Sequence, residues 1–381
     1  MYSKRNMGAL MISCFVAMSA LAGCGNTAAN STSANTSAPA QTTTTTAANS
    51  TADTDKTDAS ANDSTSGTEP IKVVTTIFPE YDWVKQIMGD KADSAELTYL
   101  LENGVDLHNF QPTADDIIRI SNSDLFIYVG GESDEWVEDA LEGAVNKDMK
   151  VINLMETMGD KAKLEEVKEG MQHDHDHDHD HEEGEEDHDH EEGEEDHDHE
   201  EEEEYDEHVW LSLVNAKFLC GEITDALCGI DPANADTYKA NYAAYSAELD
   251  VLHSDFQKLA DSAAIKTVVF GDRFPFRYFV DDYGLDYFAA FSGCSAETEA
   301  SFETVIFLTQ KMDELGCKTI YTTENSDKSI AQTIIGSTQA KDQTVAELNS
   351  LQSVSRADID AGATYLSLMR GNYDVLAETL K

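Results

Sequence analysis

Two spacings of apolar residues alternate along residues 71–154. Short aliphatic or β-branched runs predict strands, and apolar residues at three- and four-residue steps predict amphipathic helices between them. Thr113, followed three residues later by Asp116, forms a capping-box pattern where one helix begins. This alternation predicts an α/β lobe with a mostly parallel sheet. The predicted strands are 71–77, 95–101, 125–130 and 150–153, and the predicted helices are 78–90, 114–122 and 133–145.

A much longer helical pattern follows a helical stretch at 209–229 and the break at Asp231-Pro232. Residues 233–263 contain neither glycine nor proline, and apolar residues such as Tyr238 and Phe256 recur there at helical steps. A helix of roughly thirty residues exceeds the usual 8–20. It is long enough to connect two lobes and to fix their relative position.

The alternation of strands and helices then restarts. The roughly 310 residues after the N-terminal region exceed one ordinary domain of about 100–200, which favours two lobes. We therefore predict two α/β lobes with mostly parallel sheets joined by one long rigid helix: a first lobe at 70–230, the helix at 231–264 and a second lobe at 265–381. In the second lobe the predicted strands are 266–271, 285–291 and 318–324, and the predicted helices are 276–284, 301–315, 328–337 and 361–380.

The N-terminal residues have the pattern of an export signal. Two basic residues precede the apolar run Ala9–Ala20, which is shorter than the ~20 residues that span a bilayer. The run leads into Leu-Ala-Gly-Cys and resembles a bacterial lipoprotein signal, which implies a signal peptide at 1–23 and a lipid on Cys24. An ordinary signal peptide with a chance cysteine is the alternative. Residues 24–69 are mostly small and polar and predict a disordered linker, so we expect an extracytoplasmic protein that contacts the membrane through the lipid only.

Acidic residues dominate the charge of the chain. The net charge is −50 at pH 7, and it is still −29 without residues 173–204, which carry 21 acidic groups and neither Lys nor Arg. A nucleic-acid partner would require a basic surface, so this balance excludes that class. It favours cationic partners instead.

Histidines and carboxylates alternate through residues 173–204. The sequence HEEGEEDHD occurs twice, at 181–189 and 190–198, and the tract lies inside the chain, unlike a purification tag. Like-charge repulsion predicts an extended, disordered segment, and its imidazoles offer many weak metal sites. We interpret it as a metal-collecting loop for Zn²⁺ in preference to Mn²⁺, with Ni²⁺ and Cu²⁺ not separated by affinity alone; a solvated charge run is the alternative. The histidines concerned are His173, His175, His177, His179, His181, His188, His190, His197 and His199.

Four cysteines lie beyond the predicted signal and anchor. Cys220 and Cys228 stand eight residues apart in a helical pattern, a rise of ~12 Å that is too long for a disulfide. Cys294 and Cys317 remain, either as a bridge or as two free buried thiols.

Three histidines lie outside the tract. His108 follows the second predicted strand, and ligands of open α/β sheets bind in the loops at the carboxyl ends of strands. A neutral imidazole there suits Zn²⁺ or Mn²⁺, although a surface-loop histidine is the alternative. His208 stands before another helical pattern, and we interpret His253, on the long helix, as structural.

Several stretches of residues 71–381 carry a family resemblance. IKVVTTIFPEYDWVKQIMGD, GVDLHNFQPTADDIIRISNSDLFIYVGG, EHVWLSL, RYFVDDYGL and ATYLSLMRGNYDVLAETL resemble, in this order, segments of the metal-binding lipoproteins that deliver zinc or manganese to ABC importers. The resemblance implies two α/β lobes joined by one long helix. It also implies a His-rich mobile loop between the first two ligands, as zinc members often carry.

The resemblance places His108 and His208 at the first two ligand positions of this family. Arg273 stands at the third position and Asn349 at the fourth, and an arginine repels a cation at close range. Several sources of further ligands therefore remain open: Asp272, a carboxylate of Glu299 or Glu324 with Arg273 paired elsewhere, or a tract histidine. We favour a second-lobe carboxylate, and loss of metal binding is the remaining alternative.

Together these features predict a metal receptor. We expect a monomeric lipoprotein that captures Zn²⁺ and passes it to an ABC permease and its ATPase, with release through local loop motion because the long helix limits lobe closure. The rival hypothesis is a surface metal buffer that acts through the His-rich tract without a dedicated permease. We expect no enzymatic activity. A metal-dependent hydrolase is the enzyme class considered, but the sequence contains neither an HExxH nor a GxSxG motif.

Overall fold

The computed structural model describes residues 69–172, 204–295 and 297–380. Within this part of the chain, no helix combines the length and apolar character needed to cross a bilayer. The predicted signal peptide, Cys24, most of the linker and the tract histidines lie outside the described residues. The described residues form two parallel sheets with helices packed against them.

The first sheet contains four parallel strands in the order β2-β1-β3-β4. Val74 of the central strand pairs with Thr98 on one side and Phe126 on the other, and β1 and β3 are almost entirely buried. Strands covered on both faces read as continuous apolar runs, which is why the sequence pattern shows them well. The strands are β1 Lys72–Thr75, β2 Glu96–Tyr99, β3 Leu125–Tyr128 and β4 Lys150–Asn153.

Helices follow the first three strands of this lobe as the apolar spacing predicted, whereas the short helix after the fourth strand was not predicted. The Thr113 hydroxyl accepts from the backbone N–H of Asp116, whose carboxylate in turn accepts from the N–H of Thr113, so the predicted capping box is present. The region predicted as helix 133–145 is a short 3-10 turn, Glu132–Asp134, followed by a shorter α-helix. The helices are α1 Phe78–Met88, α2 Ala114–Ser121, α3 Trp136–Glu142, α4 Leu154–Met158 and α5 Leu213–Ile230.

A single 28-residue helix, α6 Ala235–Ser262, stands where the long helix was predicted. Asn241 near its start donates to the carbonyl of Ile87 in α1, at 3.0 Å. Phe256 near its end packs edge-on against Phe279 of the second lobe, with ring centroids 4.9 Å apart. The helix therefore contacts both lobes along one rigid element.

The second sheet repeats the strand arrangement of the first, in the order β6-β5-β7-β8. The pairing of β5 with β6 shifts register between Phe270 and Arg273, and such irregularities redirect side chains near strand ends. The strands are β5 Thr267–Phe274, β6 Asp286–Ser292, β7 Thr319–Thr322 and β8 Thr344–Glu347. The helices are α7 Arg277–Tyr283, α8 Phe302–Leu315, α9 Ser329–Ser337, α10 Arg356–Asp360 and α11 Tyr365–Thr379.

Three elements of the second lobe differ from the sequence prediction. Strand β8 was not predicted, because only one of its four residues is both β-branched and apolar. The final helix was predicted from residue 361, but Gly362 adopts φ +101° and Thr364 caps α11, so this helix begins at Tyr365. The short helix α10 before it was not predicted.

Buried hydrogen bonds join the two lobes beside the connecting helix. The Trp210 indole donates to the carbonyl of Ser350 at 2.9 Å, and the Tyr99 hydroxyl donates to that of Val354 at 2.8 Å. The Tyr278 hydroxyl of the second lobe donates to the carbonyl of Asp206 at 2.9 Å. The carboxyl ends of the two sheets are thereby held close together.

Candidate metal centre

Loops at the carboxyl ends of five strands meet between the lobes. The first lobe contributes loops after β2, β3 and β4, which carry His108, Ser133 and His208. The second lobe contributes the end of β5, with Arg273, and the loop after β6, with Cys294. This is the position at which open α/β sheets bind ligands.

The two imidazoles that the sequence singled out face each other. Nε2 of His108 lies 3.3 Å from Nε2 of His208, and the side chain of His208 is fully buried. Two nitrogens bound to one tetrahedral zinc at 2.0–2.1 Å would lie about 3.3–3.4 Å apart. The observed spacing therefore fits a single zinc-sized cation between the two rings.

The other nitrogen of each ring binds a side chain that orients it. Nδ1 of His108 lies 2.7 Å from the Ser133 hydroxyl and 3.7 Å from a carboxylate oxygen of Glu207. Nδ1 of His208 lies 3.1 Å from Oδ1 of Asp206. When both Nδ1 atoms carry the proton, both Nε2 lone pairs face the space between the rings. Carboxylate partners of this kind fix the tautomer and raise the basicity of metal-binding histidines.

Burial keeps His108 in the neutral form that a metal ion would require. Its pKa is lowered from 6.5 to about 3, first by burial and then by the neighbouring charges of His208 and Arg273, against the opposing effect of Asp106. The imidazole is therefore neutral at physiological pH, and protons do not compete with a cation there.

Arg273 is neutralised by an acidic partner beside the two histidines. Its guanidinium donates to Oδ2 of Asp106 at 2.8 Å. Burial opposes ionisation of Asp106, but Arg273 and His108 nevertheless lower its pKa. Gln352, with its amide oriented to satisfy both ends, donates to the two Asp106 oxygens at 3.0 and 3.2 Å and accepts from Nε2 of His208. A cation bound at Nε2 of His208 would replace this proton and this contact, and the ring would then carry its proton at Nδ1, facing Asp206. The positive charge of Arg273 is thus directed to a carboxylate.

The three carboxylates considered for the second lobe lie apart from the histidine pair. Oδ2 of Asp272 accepts from the backbone and the hydroxyl of Thr323, at 2.9 and 2.7 Å. Both oxygens of Glu324 accept from Ser350, at 2.8 and 2.9 Å, and burial raises the pKa of this carboxyl. Glu299 is exposed in the loop before α8. Within the described residues, none of the three joins His108 and His208 in a group with metal-binding spacing.

Cys294 is the residue that sequence reasoning did not place at the centre. Its sulfur and one nitrogen from each of His108 and His208 lie within 4.8 Å of one another. Cys294 and Cys317 are both free thiols, so the bridge left open by the sequence is not formed. Burial and the nearby charges of Asp206 and Glu165 raise the pKa of the Cys294 thiol. The signal available in the sequence was its position directly after a strand of the second lobe.

Comparison with known proteins assigns the chain to a family. The sequence model of the zinc-uptake complex component A family, periplasmic (ZnuA), matches residues 73–379. This chain belongs to the ZnuA family. The resemblance noted from the sequence and the prediction of two parallel-sheet α/β lobes are both confirmed.

Individual members of the ZnuA family show how far the likeness extends. The zinc-binding protein AdcA of Streptococcus pyogenes serotype M3 is 30% identical over 309 residues, which are 81% of this chain and 56% of that protein. The chain thus spans about half the length of AdcA. The high-affinity zinc uptake system protein ZnuA of Bacillus subtilis is 30% identical over 312 residues, 82% of this chain and 88% of that protein. The crystal structure of the Zn(II)-bound ZnuA-like domain of Streptococcus pneumoniae AdcA aligns with a TM-score of 0.60 and 28% identity, covering 82% of this chain and 99% of that one.

Two further residues considered in the sequence analysis, Asn349 and His253, form hydrogen bonds within the protein. Asn349 accepts from the N–H of Leu351 at 2.8 Å, and its own N–H donates to Asn372 at 2.7 Å, so it shapes the loop after β8. His253 of α6 lies 3.1 Å from the Tyr283 hydroxyl. Both are engaged in contacts within the protein.

Buried carboxyl groups extend behind His108 into the first lobe. Oε1 of Glu207 accepts from the N–H of Ser133 at 3.0 Å, and burial raises the pKa of Glu207. Burial likewise raises the pKa of Asp134 to about 7 and that of Glu80 to about 8. Gly131, with φ +78°, leaves room for Glu207, because a Cβ there would lie 2.3 Å from its Oε1. The absence of a side chain at Gly131 therefore allows the Glu207 carboxylate to reach Ser133 and to lie near Nδ1 of His108.

Proposed function

We propose that this protein is an extracytoplasmic receptor that captures Zn²⁺ between its lobes and delivers it to the permease of an ABC importer. The observation that carries the proposal is the pair His108 and His208, whose Nε2 atoms stand at the spacing of two ligands on one tetrahedral zinc. The carboxylate and hydroxyl groups behind the pair orient both rings for this role.

Zinc is the ion that relatives support best. Members of the ZnuA family that match this chain are named for zinc binding or zinc uptake, and one matching domain is described as Zn(II)-bound. Imidazole donors suit zinc better than Mn²⁺, which prefers oxygen ligands. Delivery would require a permease and an ATPase, and the protein would act as a monomer tethered through a lipid on Cys24.

In this proposal the His-rich tract serves as a collector beside the centre. Glu204, the last residue of the tract, accepts a hydrogen bond at its backbone carbonyl from the N–H of Glu165 at 2.9 Å. At its other end, Gln172 donates to the carbonyl of Ala290 at 3.0 Å. Both ends of the tract are therefore anchored within the same part of the fold as the metal centre.

Calorimetric titration with zinc tests the receptor role. In a background whose nine tract histidines are replaced by asparagine, we expect one tight site, because His108 and His208 lie in the folded body. His108→Ala should abolish this site, whereas His253→Gln, a histidine change on α6 away from the centre, should leave it intact. Equal titrations of all three proteins would refute the receptor proposal.

A surface buffer is the second candidate, favoured by the nine histidines of the tract. The two functions differ in what cells require. A receptor predicts that zinc uptake into cells depends on His108 and persists without the tract histidines. A buffer predicts the reverse, together with the absence of permease and ATPase genes beside this one.

A further inference from the structure

The second lobe lacks a ligand where the family resemblance places one. Arg273 occupies that position, and its guanidinium is bound to Asp106. Asp272 and Glu324 are engaged with Thr323 and Ser350, respectively. Another donor from this lobe is therefore needed to complete a site that both lobes share.

Cys294 lies where such a donor is required. It follows β6, and its sulfur forms with His108 and His208 the group of potential ligands whose donor atoms lie within 4.8 Å of one another. In a tetrahedral site with Zn–N of 2.0–2.1 Å and Zn–S of about 2.3 Å, nitrogen and sulfur would be about 3.6 Å apart. Because the donor atoms lie at most 4.8 Å apart, an inward movement of up to about 1.2 Å would bring the sulfur to this distance, which side-chain rotation can supply.

The backbone before Cys294 is built for close approach to the histidines. A Cβ on Gly293 would lie 2.9 Å from Cε1 of His208 and 3.0 Å from its Nδ1, so only glycine fits here without displacement. The N–H of Cys294 donates to a carboxylate oxygen of Glu165 at 3.0 Å, which fixes the position of the loop. These contacts hold the thiol beside the rings.

An acidic cavity leads to two of these three residues, His108 and Cys294. It has a volume of about 240 Å³ and is lined by both His108 and Cys294 together with carboxylates of the first lobe: Glu132, Glu165, Glu204 and Glu207. Negative charge around such an opening attracts cations. A divalent ion entering here would meet the thiol and the first imidazole together.

We propose that Cys294, as a thiolate, is the second-lobe ligand of the captured ion and completes a two-histidine, one-cysteine site. This inference rests on the proposed function and specifies its ligand set. Binding of Zn²⁺ forms a zinc–sulfur bond and breaks the S–H bond, and the proton passes to solvent. The fourth position remains for an exchangeable oxygen ligand. A thiolate donor favours Zn²⁺ strongly over the harder Mn²⁺.

Cobalt substitution gives a direct test, because only cysteine sulfur produces a sulfur-to-cobalt charge-transfer band in the near ultraviolet. The protein with its tract intact should develop this band with one equivalent of tightly bound Co²⁺, since tract histidines contribute none. Cys294→Ser should abolish the band and weaken zinc binding at least about tenfold. Cys228→Ser, a change at a half-buried cysteine of α5, should preserve both.

A second measurement needs no variant. Alkylation of the unmodified protein, mapped by mass spectrometry, should label Cys294 more slowly when one equivalent of zinc is bound at the centre, and labelling of Cys228 should be unchanged.

If His108→Ala abolishes the tight site while Cys294→Ser binds zinc normally and the wild-type protein shows no charge-transfer band, the cysteine assignment is wrong and the receptor proposal stands. If no tight site exists in any of the proteins, both fail.

Discussion

Replacement of Gly293 by alanine should weaken metal binding by displacing His208. The new Cβ would lie 2.9 Å from Cε1 and 3.0 Å from Nδ1 of His208, and 3.0 Å from the carbonyl oxygen of Phe274. Ordinary contacts of such atoms begin near about 3.4 Å, so either the ring or the loop must move by several tenths of an ångström. His208 is fully buried and bound to Asp206, which leaves little room for a ring movement that preserves its orientation.

The substitution should affect both the stability of the fold and the affinity for zinc. Overpacking of a well-packed site costs about 1–3 kcal/mol of the free energy of unfolding. At roughly 2–4 °C per kcal/mol, this corresponds to a fall of several degrees in melting temperature. Disturbance of the orientation of a ligand costs about 10–100-fold in metal affinity. We expect Gly293→Ala to show both losses.

Calorimetric zinc titration and thermal unfolding of the metal-free protein measure these quantities. Gly336→Ala in α9 is a matched control, because its new Cβ would have nothing within 4 Å. In a His208→Ala background, the stability cost of Gly293→Ala should shrink, and the difference in this double-mutant cycle isolates the contact with the ring. Wild-type affinity and stability in Gly293→Ala would refute the close packing of this loop against His208.

Three further changes test the surroundings of the centre. Asp206→Asn should lower zinc affinity about 10–100-fold with little effect on the fold, as measured by the same titration, because the carboxylate orients His208; unchanged affinity would argue against this role. Removal of zinc by a chelator should lower the melting temperature of the wild-type protein, since zinc at 100 times its Kd stabilises by ~2.7 kcal/mol, and His108→Ala should not respond. The pKa of Glu80 is raised from 4.5 to about 8, so the stability that its protonated form contributes is fully present below pH 4.5 and is lost as the pH rises through 8. Denaturant unfolding between pH 5 and 9 should therefore show a flatter pH dependence for Glu80→Gln, with the variant more stable than the wild type at pH 9; parallel curves would contradict the assignment.

The sequence predicted the elements whose patterns are strong. Buried strands such as β1 and β3 appear as continuous apolar runs, and the absence of glycine and proline marked the long helix α6. The prediction missed β8, where four residues at the edge of a sheet carry little apolar signal. It also began the final helix four residues before α11, because a glycine inside a helical pattern does not by itself indicate a positive φ.

The candidate metal centre was only partly predictable, because some of its contacts join residues that lie far apart in the sequence. His108 and His208 precede helical segments in recognisable motifs, so their approach to each other could be expected. The contact of Arg273 with Asp106 joins residues 167 positions apart, and no local pattern encodes such a pair. The sequence left Cys294 as either half of a disulfide or a free thiol, because the residues that surround its sulfur are close in space but distant in the chain.

The buried hydrogen bonds between the lobes have a thermodynamic consequence. These bonds connect one lobe directly to the other without an ion, so the lobes are held together whether or not a metal is bound. The bonded pairs are Trp210 with Ser350, Tyr99 with Val354, and Tyr278 with Asp206. If zinc is captured between the two histidines as proposed, its binding removes little additional apolar surface from water, and the heat-capacity change of binding should be close to zero. The heat of zinc binding would accordingly vary little with temperature once the enthalpy of buffer protonation is subtracted. In this respect the protein would differ from receptors whose lobes swing shut around their cargo.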